Sequence, residues 1–327
     1  MLAPVDLHCP EHEIRLESQA AGDGLRCPRG CSFPRVGDIP RFVSSDNYAS
    51  AFGRQWKAFR RTQLDSYTGT TITRDRLRRC LGGSLDVVRG RLVLEAGCGA
   101  GRFTELLLGA GARVFACDLS EAVEANYDNC CAFPDYFVCQ ANIGRLPVAP
   151  GQFDFVICLG VIQHTPDPEE TLRALARQVK PGGSLVVDHY TGEILLSETQ
   201  AALRRFLLKR SPRFTIRFCT ALVDLLWPVH RWCWRTRSIT NPTLASLRGS
   251  FLRKSPILDY HQSYAQLGDA LLKAWAVLDT HDALTDYYKH TRTVDEIAGM
   301  LRSLGLVDVH ASLGGNGVEA RGRRPDS

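Results

Sequence analysis

The chain has 327 residues, of which 44% are hydrophobic and 23% charged, and its formal net charge at pH 7 is +5. This composition is ordinary for a globular protein, and the length allows one large domain with attachments or two domains. No uninterrupted apolar run reaches the length of a membrane-spanning helix, and the N-terminus lacks the basic and apolar regions of a secretion signal. We therefore expect a cytoplasmic protein.

A group of cysteines and a histidine near the N-terminus has the spacing of metal ligands. One pair is C-x2-H and the other is C-x3-C, formed by Cys9 with His12 and by Cys27 with Cys31. Three thiolates and an imidazole suit tetrahedral Zn²⁺, and residues 1–43 are too few and too polar to build a core of their own. The sequence predicts a structural zinc site here. The alternative is a loop without metal.

The following segments differ in their periodicity. Residues 44–90 are predicted to be mostly helical, because "AFGRQWKAFRRTQLDS" carries apolar residues at helical spacing. Residues 91–190 alternate apolar strands with helices, from the strand "RLVLEAG" to the helix "DPEETLRALARQVKPGG" and the strand "SLVVDHY". This alternation predicts an α/β fold with a parallel, doubly wound sheet, which binds ligands beyond the carboxyl ends of its strands.

The loop after the first of these strands, "EAGCGAGR", has alternating glycines at Gly97, Gly99 and Gly101. A dinucleotide-binding loop would have Gly or Ala where this chain has Arg102, and the Gly-Lys-Ser/Thr of a phosphate loop is absent. The acid before the glycines, Glu95, would repel a pyrophosphate and attract a cationic amino-acid end. These features predict S-adenosylmethionine as the cofactor.

Polar residues that could bind this cofactor follow three successive strands. Glu95 could meet the ammonium group, directly or through water, Asp118 the two ribose hydroxyls, and Asn142 the adenine edge. The predicted cofactor site also includes the apolar residues Leu119, Ile143 and Leu159. The alternative interpretation makes Glu95 a partner of a helix cap and Asp118 a turn residue.

Candidates for the chemistry follow the fourth and fifth strands. Methyl transfer from a sulfonium mainly requires that the acceptor be positioned and, for some acceptors, deprotonated. His164 follows the fourth strand, and His189 and Tyr190 end the fifth, so these three residues are the predicted catalytic groups. The alternative for His164 is a histidine that only fixes its loop.

Three stretches of the chain carry a family resemblance. "VLEAGCGAGRFT", "CDLSEAV" and "ANIGRLPVAPGQFDFVICLGVIQHTPDPEETLRALARQVKPGG" together resemble class I S-adenosylmethionine-dependent methyltransferases of the ubiquinone/menaquinone-methyltransferase-like branch. The resemblance covers about residues 90–190 and implies a Rossmann-like, seven-stranded methyltransferase fold, which residues 286–327 are expected to complete. The family often has Asp where Asn142 stands, so we expect weaker discrimination of adenine.

Two further resemblances assign roles to segments outside this region. "FPRVGDIPRFV" resembles the end of the zinc ribbon that precedes some bacterial methyltransferases, in which Cys is usual where His12 stands and His8 is a rival ligand. The helix of residues 44–90 and the stretch near residue 288 resemble lid segments of the same enzymes. The implied cofactor cover consists of Gln55, Trp56 and Asp65. The implied acceptor contacts are Tyr288, Lys289 and His290.

Residues 191–285 are predicted to be a basic, helical cap insertion. Between residues 204 and 254 twelve Lys and Arg residues face one acid, Asp224, and the arginines alternate with Trp, Phe and Leu. This segment could contact an anionic membrane surface, RNA phosphates, another subunit or an acidic substrate. The alternative is a solvated basic face.

Together these features predict a methyltransferase enzyme that O-methylates a small-molecule metabolite, such as a sugar, a polyketide, a quinone-like ring or another secondary metabolite. Nitrogen and carbon are the alternative acceptor atoms. A methyltransferase of ribosomal or transfer RNA bases is the first alternative, although the "NPPY"-type signature of amino methylation is absent and the chain reads "LGVIQH". A non-catalytic, cofactor-binding partner subunit is the second alternative.

Overall fold

The structure is a computed structural model, and it describes residues 3–18, 24–44, 47–192 and 196–326. The chain divides into two compact units. The sheet unit consists of Met1–Arg60, Thr71–Ile194 and Tyr288–Ser327, and the helical unit of Arg61–Thr70 and Leu195–Tyr287. The helical unit thus overlaps the predicted cap insertion, and it also takes ten residues from the middle of the predicted lid.

Two β-sheets lie in the sheet unit. The small sheet has the order β1-β2-β3-β4 and contains β1 (Glu17–Ser18), β2 (Gly24–Arg26), β3 (Ser32–Val36) and β4 (Ile39–Pro40). The large sheet contains β5 (Leu92–Ala96), β6 (Arg113–Asp118), β7 (Tyr136–Gln140), β8 (Phe153–Cys158), β9 (Val179–His189), β10 (Val307–Gly314) and β11 (Gly317–Arg323). Its order is β10-β11-β9-β8-β5-β6-β7, with β5 to β9 parallel and β10 and β11 antiparallel to their neighbours. The predicted seven-stranded, Rossmann-like fold is confirmed.

The helices of the sheet unit are α1 (Ser50–Ala58), α3 (Ile72–Cys80), α4 (Thr104–Gly109), α5 (Ala122–Cys130), α6 (Pro168–Gln178) and α11 (Val294–Ser303). Those of the helical unit are α2 (Asp65–Thr68), α7 (Glu198–Leu207), α8 (Pro212–Arg235), α9 (Pro242–Lys254) and α10 (Gly268–Thr285). Short 3-10 turns occupy Asp86–Val88, Ile162–His164 and Ala265–Leu267. None of the helices in the described ranges is long and apolar enough to span a membrane.

The central strands are apolar on both faces because both faces are covered. Every residue of β5 is buried, and its side chains alternate between two core clusters. Leu94 belongs to the cluster on one side and Val93 to the cluster on the other. Side chains of a strand alternate in direction, so these clusters lie on opposite faces of the sheet. The cofactor loop begins where this fully buried strand ends.

The fifth strand differs from its predicted start. The sequence predicts a helix closed by Pro-Gly-Gly, whereas the helix α6 ends at Gln178 and β9 begins at Val179. Val179 pairs with Phe153 and Ser184 with Phe155, so the intervening residues form an irregularity in the ladder. A Cβ on Gly183 would lie 2.8 Å from the Asp154 carbonyl oxygen, so the glycine permits a close approach of two backbones.

The small sheet is joined to the edge of the large one. Phe42 N–H donates to the Gln140 carbonyl oxygen at 2.8 Å, and the Arg41 guanidinium binds the side chains of Gln140 and Glu124. Cys27 and other buried residues of this segment belong to the same core cluster as residues of β5 to β9. The described residues of this N-terminal segment, 3–18 and 24–43, therefore share a core with the sheet, which is a source of stability that their own composition does not reveal.

Three helices of the helical unit, α7, α8 and α9, begin with side-chain caps. Ser197, Ser211 and Asn241 each accept a hydrogen bond from a backbone N–H in the first turn of α7, α8 and α9. Its interior holds a polar network in which His230 contacts Asp259 through Nδ1 at 2.7 Å and Ser255 through Nε2 at 2.8 Å. All of these residues belong to the helical unit, so the network stabilises that unit from within.

A buried ion pair ties α3 to β9, and it gives a test of the fold. Asp188 is fully buried, and it accepts from the Arg76 guanidinium and from Gly160 N–H. Replacing Arg76 by Leu should lower the free energy of unfolding by about 3–5 kcal/mol, because it leaves a buried carboxylate without its partner. Urea unfolding measures this loss.

The matched control is Arg78→Leu on the same helix, where the arginine is exposed and its ion pair with Asp75 is long, at 3.9 Å. This change should cost less than about 1 kcal/mol. Adding Asp188→Leu to Arg76→Leu should restore part of the lost stability. Equal losses for the two arginine variants would contradict a structural role for the buried pair.

Candidate functional site

The glycine loop is held against the end of β6 by backbone hydrogen bonds. Gly97 N–H and Cys98 N–H both donate to the Cys117 carbonyl oxygen, at 2.7 and 3.0 Å. Gly97 has φ 78°, and a Cβ there would lie 2.3 Å from a methyl carbon of Val161. Glycine at this position allows both the positive φ and the close approach of Val161, so it fixes the backbone conformation of the loop after β5.

Asp118, the last residue of β6, is anchored by three donors. Its Oδ2 accepts from Gly99 N–H at 3.0 Å, and its Oδ1 accepts from Ser120 N–H at 2.8 Å and from the Ser120 hydroxyl at 2.7 Å. Burial raises the pKa of Asp118, and the hydrogen bonds from Ser120 and Gly99 oppose this rise. A carboxylate has about four acceptor positions, so two ribose hydroxyls would have to displace the Ser120 hydroxyl from one of them.

Glu95 lies buried beneath the loop. Its Oε2 accepts from the Thr104 hydroxyl at 2.6 Å, whereas its Oε1 is buried without a partner among the described residues. Burial raises the pKa of Glu95 to about 8, and the negative charge of Asp118 adds to the rise. A cation beside Oε1, or a water molecule that bridges to one, would favour the ionised carboxylate and satisfy this oxygen as an acceptor.

The remaining predicted cofactor residues lie at the ends of β6, β7 and β8. Asn142 is exposed two residues beyond β7, and its Oδ1 accepts from Gly144 N–H at 2.9 Å. Ile143 and Leu159 are buried, and Leu119 is half-buried. These positions are at the carboxyl edge of the parallel strands, where the sequence predicts the cofactor.

Helix α1 lies against the glycine loop and α5. A Cβ on Gly99 would meet the indole of Trp56 at 3.4 Å, and Lys57 Nζ binds the carboxylates of Glu121 and Glu124 at 2.7 Å. Gln55, on the same helix, is buried. Trp56 is therefore beside the loop that it is predicted to cover. Asp65, the third predicted cover residue, is the first residue of α2 in the helical unit.

Four of the predicted chemical residues come together in an aromatic cluster. The ring of His164 lies 5.2 Å from that of Tyr190 and 5.5 Å from that of Phe52, and His164 Nδ1 lies 3.3 Å from the Tyr288 carbonyl oxygen. Lys289 Nζ lies 5.1 Å from the centre of the Tyr190 ring. This arrangement brings together the loop after β8, the end of β9 and the segment before α11.

His189 and His290 present buried imidazole nitrogens beside this cluster. His189 is fully buried, its Nδ1 lies 2.9 Å from the Tyr190 carbonyl oxygen, and burial lowers its pKa. A carbonyl only accepts, so Nδ1 carries the proton and Nε2 carries the lone pair. The Nε2 atoms of His189 and His290 are buried with no hydrogen-bond partner in the described ranges. His189 therefore has the protonation state of a base at neutral pH.

Two residues of this region were missed by the sequence analysis. Gln163 is fully buried, and both atoms of its side-chain amide are without a partner in the part of the chain that the structure describes. Tyr48 lies 5.4 Å, ring to ring, from Tyr288, and its pKa is raised to about 12 by burial and by the nearby charge of Asp118. Tyr48 therefore lies next to both the cofactor loop and the aromatic cluster.

The cysteine and histidine group of the N-terminal segment converges. The Sγ atoms of Cys9, Cys27 and Cys31 lie 3.5, 3.4 and 3.5 Å from His12 Nδ1. All four ligand atoms lie within 4.8 Å of one another. The rival ligand His8 lies outside this group and contacts the Glu13 carbonyl oxygen at 3.1 Å.

Comparison with known families identifies the central region. Residues 94–187, which run from β5 to near the end of β9, match the family described as "Methyltransferase domain". The chain carries a methyltransferase domain. The family resemblance predicted from the sequence is confirmed over these residues.

Relatives of the methyltransferase domain have been described in bacteria. A ubiquinone biosynthesis O-methyltransferase of Methylococcus capsulatus is 31% identical over 134 residues, which are 40% of this chain and 56% of the relative. That of Thiobacillus denitrificans is 38% identical over 98 residues, which are 29% of this chain and 42% of the relative. The chain thus spans about half the length of the curated relatives it matches.

Solved structures resemble the chain over more of its length but with lower identity. A Methanococcus maripaludis protein described as an S-adenosylmethionine-dependent methyltransferase has a TM-score of 0.46 and 12% identity, covering 87% of this chain and 97% of that one. Phosphoethanolamine N-methyltransferase 2 of Haemonchus contortus, in complex with S-adenosylmethionine, has a TM-score of 0.40 and 15% identity, covering 73% of this chain and 37% of that one.

The buried carboxyl of the methyltransferase domain predicts a pH-dependent stability. The pKa of Glu95 is about 8 in the folded state, above its ordinary value of 4.5, so the folded state holds a proton that the unfolded state releases between these values. The free energy of unfolding should fall as the pH rises from about 4.5 to about 8, and above pH 8 it should stay at the lowered value. Replacing Glu95 by Gln should therefore raise the melting temperature of the cofactor-free protein at pH 9 and leave it nearly unchanged at pH 5.

The control is Glu17→Gln, at an exposed position of β1. It should leave the melting temperature unchanged at both pH values. If Glu95→Gln gave no greater gain at pH 9 than at pH 5, the assignment of a protonated Glu95 would be wrong.

Proposed function

We propose that this protein is an S-adenosylmethionine-dependent O-methyltransferase whose acceptor is a small, hydroxylated ring compound. The observation that carries the proposal is the position of Tyr48. Its ring lies 5.4 Å from that of Tyr288, and the charge of Asp118 contributes, after burial, to its raised pKa. The position of Tyr48 supports a site in which the predicted cofactor residues and the aromatic cluster are adjacent. An acceptor in the cluster would be adjacent to a cofactor held at Asp118.

The residues at the end of β5 and β6 fit the cofactor. Glu95 has a buried, unpartnered Oε1 in the described structure, which suits the ammonium group of an amino-acid moiety. Asp118 is fixed by Gly99 and Ser120 in a position to accept from a ribose, and Trp56 covers the loop. When bound, S-adenosylmethionine supplies an activated methyl group, whose transfer to an oxygen leaves a neutral thioether.

The chain's own groups orient the acceptor and take its proton. His189 is neutral at pH 7 because burial lowers its pKa, so its Nε2 lone pair is available to a hydroxyl. His164 and Tyr190 form a wall against which a flat ring can pack. The buried amide of Gln163 provides one donor and one acceptor for a second polar substituent. Transfer of the hydroxyl proton to an imidazole would leave the oxygen as the nucleophile.

The class of acceptor follows from this lining. The aromatic rings of the cluster favour a flat phenolic or quinol-like ring over an open-chain sugar. The two bacterial relatives are named for O-methylation in ubiquinone biosynthesis, which also favours the quinone-like ring among the predicted acceptors. They match about half of their length, so the greater support comes from the composition of the cluster itself.

The function is tested by transfer of a radiolabelled methyl group from S-adenosylmethionine into a fractionated bacterial extract, with and without ribonuclease. The label should enter the small-molecule or lipid fraction, be insensitive to ribonuclease and be extracted as a phenol ether. Replacing His189 by Ala should lower the rate by roughly a hundredfold or more, because it removes the proposed base.

Two variants serve as references for this assay. Asp118→Ala should bind the cofactor at least about tenfold more weakly in calorimetry, since it removes a charged hydrogen-bond acceptor, and it gives the background of the assay. His310→Ala changes a histidine of β10 that is not part of the cluster, and it should keep full activity. Label in a ribonuclease-sensitive polymer would support the RNA alternative, and no label above the Asp118→Ala background would support a non-catalytic subunit.

We further propose that the N-terminal cysteine and histidine group holds a structural Zn²⁺. In a tetrahedral zinc site with Zn–S of about 2.3 Å and Zn–N of about 2.0 Å, sulfur and nitrogen ligands lie about 3.5 Å apart. The three distances from His12 Nδ1 to the cysteine Sγ atoms are 3.4 to 3.5 Å. Four protein ligands leave no open position, so the role of the metal is structural.

The zinc site is tested by elemental analysis of the purified chain. We expect one zinc per chain, retained in His12→Cys, which supplies a fourth thiolate, and lost in His12→Ala. The control His8→Ala should keep the metal, since His8 lies outside the group. Loss of zinc in His8→Ala, or its retention in His12→Ala, would show that the ligand set is different.

A further inference from the structure

Helix α8 exposes an apolar strip that nothing in the proposed reaction requires. At 100° per residue, Phe214, Leu225, Val229 and Trp232 fall within a sector of about 60°. All four are exposed, Leu225 to 73% and Trp232 to 47%. The opposite face of the helix is buried, and it carries Val223 and Trp227. The exposed strip is therefore not the face by which α8 packs into the helical unit.

An arginine row flanks this apolar strip. The same rotation places Arg213, Arg217, Arg231 and Arg235 within about 40° of one another, next to the strip on one side. Arg231 binds Asp269, whereas the other three have no ion-pair partner in the described ranges of the chain. The acid on this side, Asp224, is bound to Lys273 at 2.7 Å. The row therefore presents a net positive charge to solvent.

Exposed apolar groups continue beyond α8. Of the fifteen large hydrophobic side chains that the described part of the chain exposes, eight lie between residues 206 and 252. The rings of Phe206, Phe214 and Phe218 lie 6.0 to 6.2 Å apart, and the Arg210 guanidinium lies 4.5 Å from the centre of the Phe206 ring. Such a concentration of apolar groups marks an interaction surface.

We propose that α8 is a membrane-surface helix that binds anionic phospholipid bilayers. The apolar strip enters the boundary between headgroups and acyl chains, and the arginine row contacts the phosphates. Charge complementarity selects this occupant, because the segment from residue 204 to 254 has twelve Lys and Arg against one acid. A helix of 24 residues extends about 36 Å and lies parallel to the bilayer, as amphipathic helices with an apolar strip and a basic border do.

RNA and a second copy of the chain fit this surface less well. RNA phosphates would pair with the arginine row, but they would leave the apolar strip without a partner or against charged groups. Two copies would bring two cationic surfaces together, and their charges repel. A bilayer with anionic headgroups offers acyl chains to the apolar strip and phosphates to the arginine row.

The proposal is tested by sedimentation of the full chain with vesicles. The probes are vesicles of phosphatidylcholine alone and vesicles with about one third phosphatidylglycerol. The chain should bind the anionic vesicles at least about tenfold more tightly, since each basic residue near the surface adds to the attraction, and 0.5 M salt should weaken the binding by screening. Equal binding to the two kinds of vesicle, or binding to neither, would overturn the proposal.

Variants separate the two parts of the surface. Leu225→Glu should reduce binding to anionic vesicles by about tenfold or more, because it removes an apolar side chain that the bilayer would cover. Arg213→Gln with Arg217→Gln should reduce it by roughly thirtyfold. The control Leu313→Glu alters a side chain of β10 that is 57% exposed and should bind as the parent does.

The same variants test the competing partners. Leu225→Glu with unchanged vesicle binding would exclude the apolar strip from the interface. Binding of a ribohomopolymer that excludes vesicle binding and depends on the arginines but not on Leu225 would assign the surface to RNA. A concentration-dependent dimer that Leu225→Glu abolishes without vesicles would assign it to a second copy of the chain. The melting temperatures of the variants should match the parent, since the substituted side chains are exposed.

Discussion

The pair of backbone hydrogen bonds from Gly97 and Cys98 to the Cys117 carbonyl oxygen is the constraint on which the candidate site depends. It ties the end of β5 to the end of β6 before any side chain takes part. Asp118 follows Cys117 directly, and its carboxylate receives Gly99 N–H, so the loop and the acid fix one another. Backbone hydrogen bonds of the sheet thus position the loop and the acid relative to each other.

Several polar groups are buried at this site without their full set of hydrogen bonds, and their burial lowers the stability of the fold. Burial opposes the ionisation of Glu95 and so raises its pKa. Gln163 and His189 have buried hydrogen-bonding atoms without a partner in the described structure. Each such atom destabilises the fold by an amount comparable to a lost hydrogen bond. Groups of this kind are tolerated where a ligand satisfies them, which is why they occur together at the carboxyl edge of the sheet.

The sequence predicts the sheet and the cofactor loop because both depend on local patterns. Strands such as "RLVLEAG" are buried on both faces, and glycines with positive φ are visible in the sequence. The irregular start of β9 could not be predicted, because Pro-Gly-Gly ends helices and also permits close backbone approach. Tyr48 lies outside every motif, and in the motif "LGVIQH" only the histidine, not Gln163, has a predicted role. Their roles arise from distant contacts, such as that between Tyr48 and Tyr288, which no local pattern encodes.

The contact of Arg41 and Phe42 with β7 has a consequence for the behaviour of the chain as a whole. In the order of the large sheet β7 is an edge strand, and Arg41 and Phe42 meet it at Gln140. An uncovered edge offers unpaired backbone groups to any other strand and so promotes association of copies. Because Gln140 is the last residue of β7, this contact covers the edge at the carboxyl end of the strand, so removal of the small sheet would affect both solubility and the end of the sheet where the candidate site lies.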